Sequence, residues 1–196
     1  MNIDSQRKDD HVDLAEKQYN AASQSDFQKV RFVHHSFPQI KTQDVSLASH
    51  MLGHDMPLPF YINGMTGGSK KTAVINRNLA EVAKELGLVM ASGSISAAIK
   101  HPDLADSFKV IREVNPNGFV LANLGAHHTV ENAKRAVDIL EANAMQIHIN
   151  APQELVMPEG DRDFTMWLSQ IEQIVAHVGV PVMIKEVGFG MSLETM

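Results

Sequence analysis

Five short apolar runs recur from Leu58 onward, and their spacing constrains the fold more than any other feature of the chain. They are LPFYING from Leu58, LVMASGS from Leu88, GFVLANLG from Gly118, AMQIHIN from Ala144 and VPVMIKE from Val180. An interval of about thirty residues is the size of a βαβ unit, and helical patterns fill the gaps. Ser69 can cap a helix with Ile75, Leu79, Val82, Ala83 and Leu86 on one face, and Gly87 stands where a left-handed stop is expected. Pro102 precedes Leu104, Phe108 and Ile111; Thr129 precedes Val130, Ala133, Val137 and Leu140; Asp163 precedes Trp167, Leu168, Ile171, Ile174, Val175 and Val178. Alternating strands and helices at this pitch predict an α/β protein with a parallel sheet covered by helices.

In AMQIHIN, Met145, Ile147 and Ile149 share one face while Gln146, His148 and Asn150 share the other. A central strand of a doubly wound sheet is apolar on both faces, whereas a barrel strand can present polar groups at its C-terminal mouth. The alternation therefore favours a TIM-type (β/α)8 barrel over a doubly wound sheet, with about five β/α units present in residues 58–196. No GxGxxG follows the first run and no GxxxxGK(S/T) occurs, which weakens the nucleotide-binding alternatives. Residues 1–57 read as an N-terminal extension, with a short helix over Val12 to Tyr19 and extended pieces near Val45 to Leu47 and His50 to Leu52. Pro57 and Pro59 mark its junction with the first strand.

Lys+Arg 17 against Asp+Glu 23 gives a net charge of −6, and no basic block is present to neutralise a nucleic-acid backbone. The absence of cysteine excludes disulfides, thiolate metal sites and cysteine nucleophiles. The polar start MNIDSQRKDDH lacks the apolar core of a signal peptide, and no apolar run approaches membrane-spanning length, so a cytoplasmic protein without a membrane partner is expected.

Polar residues cluster at the ends of the apolar runs. The glycines of Met65 to Gly68 allow close backbone approach to a flat ligand, or serve only a tight strand-to-helix turn. Ser94 and Asn123 occupy the corresponding positions after the second and third runs, where they could contact a ligand or satisfy neighbouring backbone. Lys185 on VPVMIKE needs an anionic partner, which could be a ligand or Glu186, unless it snorkels to solvent. His148, Asn150, Gln153 and Glu154 form the densest polar cluster, at the mouth where barrel enzymes place their chemistry. Arg7, Lys8 and His11 are either a solvated charged terminus or a ready anion site. The histidine pairs His34/His35 and His127/His128 match no metal-ligand spacing and read as surface or turn residues.

Taken together, RKDDH at Arg7 to His11, NGMTGG at Asn63 to Gly68, SGSISAAIKHPDLADSF at Ser92 to Phe108, ANLG at Ala122 to Gly125, QIHINAPQE at Gln146 to Glu154 and IKEVGFGMS at Ile184 to Ser192 closely resemble the type II isopentenyl-diphosphate isomerases. These are flavin-dependent (β/α)8 barrel enzymes that interconvert isopentenyl and dimethylallyl diphosphates. The resemblance implies reduced FMN contacted by Met65, Thr66, Gly67, Ser94, Asn123 and Lys185, with NADPH as its reductant. It implies Mg²⁺ held by Glu154, a catalytic Gln153 beside the reacting alkene, and a diphosphate bound by Arg7, Lys8, His11, Ser96, His148 and Asn150. It also implies a homo-oligomer, tetrameric or larger.

Two departures stand out. Ile95 and Ser96 follow Gly93–Ser94 where many members carry an arginine or glutamine. The strand signals also stop at the fifth, so the resemblance implies a chain that lacks three β/α units and the phosphate loops they carry. The alternatives are another FMN-dependent barrel enzyme, such as a 2-hydroxy-acid oxidase, or a non-catalytic barrel fragment.

Overall fold

The computed structural model describes residues 3–23, 26–158, 160–188 and 190–195; Phe189 of the IKEVGFGMS run falls outside them. Helix α1 spans Ile3–Gln18, well beyond the expected Val12 start, and this places Arg7, Lys8 and His11 on helical turns. An antiparallel hairpin follows, β1 (Ser49–Met51) and β2 (His54–Met56), somewhat later than the extended pieces expected from sequence. The rest alternates: α2 (Lys70–Leu86), β3 (Met90–Ala91), α3 (Ser96–Lys100), α4 (Asp106–Val114), β4 (Val120–Gly125), α5 (Val130–Leu140), β5 (Ala144–His148), α6 (Ala151–Val156), α7 (Trp167–His177) and β6 (Val182–Lys185).

The helix signals act as their chemistry predicts. Ser69 accepts from the Thr72 N–H and Thr72 answers with its own side chain, a reciprocal cap on α2, while Gly87 ends it at φ 66°. Thr129 caps α5 through the Asn132 N–H. Asp163 does not cap α7; it binds the backbone and hydroxyl of Thr165 in a preceding turn. The buried row of α2 is also not the large apolar one. Thr72, Asn76, Ala80 and Ala83 are buried, while Val82 and Leu86 are exposed. Small residues let α2 lie close against α4, and Asn76 Nδ2 satisfies the carbonyls of Thr66 and Ser107 in that seam.

The sheet corrects the barrel expectation. Strands β3, β4, β5 and β6 are parallel and adjacent in sequence order, forming an open four-stranded sheet beside the separate two-stranded hairpin. The first apolar run contributes only a single bridge, Ile62 to Met90. Pro57 and Pro59 remove ladder donors from the segment that precedes it. Closure requires the first strand to meet the last; no such pairing occurs among the described residues, which form an open four-stranded parallel sheet and not a TIM barrel.

The polar face that suggested a barrel is accommodated without one. On one side, Val120, Ala122, Leu124, Met145 and Ile147 pack with Ala80, Ala83, Phe108, Ile111, Ala133, Ala136, Leu140, Ile171 and Ile174 from the helices. On the other, Ala91, Leu121 and Ala144 are covered by Met56, with Met51, Leu52, Tyr61 and Phe119 around them. Towards the C-terminal ends of the strands this second face turns polar, through Asn123, Gln146 and His148.

Candidate functional site

A cavity of about 370 Å³ opens beside the ends of β4 and β5. Arg7, Lys8 and His11 of α1 meet Ser94, Ser96, Lys100, His127, His128, His148, Gln153, Glu154 and Asp161 there. The charged terminus is therefore docked rather than solvated. Three acidic residues of α1 anchor it: Asp4 pairs with Arg7 at 3.0 Å and His101 at 3.3 Å, Asp9 accepts from the Ser69 hydroxyl, and Asp13 pairs with Lys71. Helical spacing of i, i+1 and i+4 turns Arg7, Lys8 and His11 toward the same cavity.

This arrangement concentrates positive charge with little solvent to screen it. Burial lowers the Lys8 ammonium from 10.5 to about 8, helped by repulsion from Arg7 and partly opposed by Asp4. His11 is pushed below its ordinary value by burial and by Lys8 and Arg7. Burial, then Lys185, His127 and Lys8, bring His148 down to about 4. Burial, then His127, His148 and Lys100, bring His128 down to about 3. An anion in this cavity would relieve each of these repulsions and so favour the protonated forms.

His148 stands at the top of a buried amide network. Asn123 Nδ2 donates to Gln146 Oε1 at 2.7 Å, and Gln146 Nε2 donates to Tyr61 OH and Asn63 Oδ1, each at 3.2 Å. Asn123 Oδ1 accepts from His148 Nδ1 at 2.8 Å, which assigns the ring proton to Nδ1 and leaves Nε2 as the acceptor. Gly125 lies beneath: a Cβ there would come within 2.8 Å of His127 and 3.3 Å of His148 Nε2, so the two rings need a glycine to approach this closely.

The acidic wall comes from the segment after β5. Asn150 caps α6 through the Gln153 N–H at 3.1 Å and donates to Gln153 Oε1 at 2.9 Å, so its side chain serves the helix start and does not line the cavity. Gln153 and Glu154 do line it. Glu154 Oε2 accepts the Asp161 N–H at 3.0 Å. Arg162 holds the turn together, donating to the Glu154 carbonyl, to Met157 O at 2.7 Å and to Gly160 O at 2.8 Å.

The residues assigned to a flavin are more scattered. Met65 is 74% exposed, while Thr66 is buried and its Oγ1 has no hydrogen-bond partner. Gly67, at φ 144°, is required by packing: its Cβ would fall 2.1 Å from Phe108 Cε1, so this glycine cradles a side chain of the protein itself. Ser94 lines the cavity and Asn123 is fully engaged in the amide network. Lys185 lies in register with His148 across β5 and β6, while Glu186 turns to the Gly188 N–H. The orphan Thr66 hydroxyl and the Lys185 ammonium fit a group with hydrogen-bonding edges and negative charge. For Mg²⁺ the fit is through substrate: among the described residues no cluster of three acidic or histidine ligands exists, but Glu154 can supply one carboxylate to an ion otherwise held by phosphate and water.

The structure thus gathers Arg7, Lys8, His11, Ser94, Ser96, His148, Gln153 and Glu154, and leaves Asn150, Met65, Thr66, Gly67, Asn123 and Lys185 outside the cavity lining. Sequence reasoning missed Lys100, Asp161 and above all His128. The pair at 127 and 128 is not merely a surface turn: His128 is 7% exposed and hydrogen-bonded to Ser96 and Asn132. The available signal was its place just after the ANLG strand end, the same relative position that drew attention to Ser94.

No protein-family model matches the chain. It is 56% identical over 192 residues to the isopentenyl-diphosphate delta-isomerase of Streptomyces sp. (strain CL190), covering 97% of this chain and 53% of that protein. It is 54% identical over 196 residues to the isopentenyl-diphosphate delta-isomerase of Latilactobacillus sakei, covering 100% of this chain and 56% of that protein. The enzyme of the same name from Staphylococcus epidermidis is 53% identical over 191 residues, with 97% and 54% covered. Among the described residues no helix is long and apolar enough to cross a membrane. The chain is similar over essentially its whole length to curated isopentenyl-diphosphate delta-isomerases, and it spans about half the length of those relatives.

Proposed function

We propose that this chain carries the diphosphate- and alkene-binding part of an isopentenyl-diphosphate delta-isomerase of the FMN-dependent kind, acting in isoprenoid biosynthesis. The observation that carries the reading is the convergence of Arg7, Lys8 and His11 from α1 with His148, Gln153 and Glu154 after β5 in a single cavity. Similarity to enzymes named for that reaction supports it.

In this reading Arg7 and Lys8 pair with the diphosphate, Arg7 offering a planar fork and Lys8 a point charge with little competing solvation. His11 and His148, neutral in the empty site, take up protons against the incoming negative charge. Glu154, its carboxylate oriented by the hydrogen bond from Asp161 N–H, would be the residue to hold Mg²⁺, which would neutralise charge on the diphosphate. Gln153, braced by Asn150 and Met157, positions the alkene. Thr66 and Lys185 would hold the reduced FMN, for which NADPH would be the reductant. Bound there, reduced flavin supplies an electron-rich face and the proton exchange of a 1,3-allylic shift, without net redox change in substrate. A homo-oligomer completes the proposal, supported by the exposed Phe32, Val33, Phe37 and Ile40.

The test is incubation of the chain with FMN, NADPH, Mg²⁺ and isopentenyl diphosphate in deuterated water, read by NMR, with sedimentation on the same sample. Deuterium in recovered isopentenyl and dimethylallyl diphosphates, lost in Glu154→Gln at low Mg²⁺, is the expected result. Calorimetry that finds no binding of inorganic pyrophosphate to the chain would remove the basis of the reading.

A further inference from the structure

Ser96 sits where two neighbours use up its capacity to accept. His128 Nδ1 faces Asn132 Nδ2 at 3.2 Å, and an amide NH₂ can only donate, so Nδ1 is the acceptor and the ring proton belongs on Nε2. Nε2 then donates to Ser96 Oγ. Ser94 Oγ donates to the same oxygen at 3.1 Å. With both lone pairs engaged, the Ser96 hydroxyl has its own proton left, and among the described residues no acceptor takes it. The cavity that Ser96 lines also holds Arg7, Lys8, His11 and Lys100.

We infer that His128 is a positioning residue: it fixes the Ser96 hydroxyl so that its proton points into the cavity as a preorganised donor to a phosphate oxygen of the bound diphosphate. This deepens the proposed function and rests on it. A hydroxyl free to rotate would be as ready to accept as to donate; locking it removes that freedom before the ligand arrives. The neutral state needed for the relay is favoured first by burial of the ring, with the Lys100 ammonium nearby acting in the same direction. The His127 ring lies against His128 at a tilt of 35°, centroids 4.3 Å apart, and flanks the imidazole from the exposed side.

The same three residues stand in the order nucleophile, base and orienter, yet they do not form an activated serine. A base must present a lone pair to the hydroxyl, whereas here Nε2 carries the proton, and a ring pushed down to about 3 has little affinity for another.

Two measurements on the intact chain test the inference. ¹⁵N-histidine NMR is expected to show His128 as the neutral Nε2–H tautomer from pH 5 to pH 9; the Nδ1–H tautomer, or labelling of Ser96 by a fluorophosphonate, would overturn it. Calorimetric titration with inorganic pyrophosphate is expected to weaken about tenfold in Ser96→Ala. A similar loss is expected in His128→Ala, with no further loss in the double variant and partial recovery in His128→Gln, whose amide can donate to Ser96. If Lys8→Ala weakens pyrophosphate binding while the Ser96 and His128 variants, folded by circular dichroism, leave it unchanged, the inference fails and the diphosphate site stands. If wild type binds no pyrophosphate, both fail. FMN titrated in parallel separates the two sources of phosphate: an effect confined to FMN would overturn the assignment to the diphosphate.

Discussion

Arg112 and Lys8 are both cations withdrawn from water, one behind the sheet and one at its mouth, and their surroundings are opposite. Arg112 spends every donor on the protein. Its Nε reaches Leu140 O at 3.3 Å, Nη1 reaches Gly118 O at 2.8 Å and Pro116 O at 3.1 Å, and Nη2 reaches Glu141 O at 2.6 Å and Asn143 Oδ1 at 2.9 Å. One guanidinium thereby joins the end of α4, the turn before β4 and the end of α5. Lys8 is instead packed beside Arg7, and the penalty shows in an ammonium lowered to about 8. A cation retained for architecture is surrounded by oxygen. The cation that lines the cavity is compensated only in part, by Asp4, which is the state expected of a charge that awaits a ligand.

The largest effect that could break this contrast is in Arg112→Ala. Removing the guanidinium leaves several turn and helix-end carbonyls without their donor, so a loss of about 3–5 kcal/mol is expected in urea unfolding. Pyrophosphate affinity of the folded protein should be unchanged. Lys8→Met reverses the pattern: affinity for pyrophosphate falls about 10- to 100-fold, with no loss of stability, because the substitution removes a buried charge and keeps the apolar stem. If Arg112→Ala unfolded normally and Lys8→Met did not, the two roles would have to be exchanged.

The helix-covered half of the sheet was largely legible in sequence. Ser69, Gly87 and Thr129 mark helix ends through purely local chemistry, and the apolar runs at Gly118 and Ala144 became β4 and β5. Closure was not legible. Alternation in AMQIHIN reports that one face is polar, but it does not report whether further strands enclose that face or whether Asn123, Gln146 and His148 satisfy one another, as they do here. The site was half legible. Glu154 and Gln153 stand out by type and position. His128 acquires meaning only because the turn after β4 brings its ring onto Ser96, thirty-two residues earlier. Asn150 shows the opposite ambiguity, since the chemistry that would bind a phosphate serves equally well to cap α6, as it does here. On α2 the large apolar residues were the visible signal, yet the close seam with α4 is built from Thr72, Asn76 and Ala80, which periodicity of bulk does not detect.

The smallest expected effect sharpens the contrast by its sign. Lys8 is lowered in the folded state from 10.5 to about 8, so between those values the unfolded chain binds more protons than the folded one, and this residue's contribution to stability rises with pH. Below about pH 8 the cost of burying the charge is present in full. Above it the folded protein sheds the proton and the cost fades. Binding runs the other way: the affinity advantage of wild type over Lys8→Met for pyrophosphate should be constant below pH 8 and decline above it, the ratio cancelling ionisation of the ligand itself. A wild type that gains stability and loses affinity over the same pH interval, against a Lys8→Met protein that does neither, would identify Lys8 as charge held in reserve. Parallel curves for the two proteins would place Lys8 with Arg112 among the structural cations.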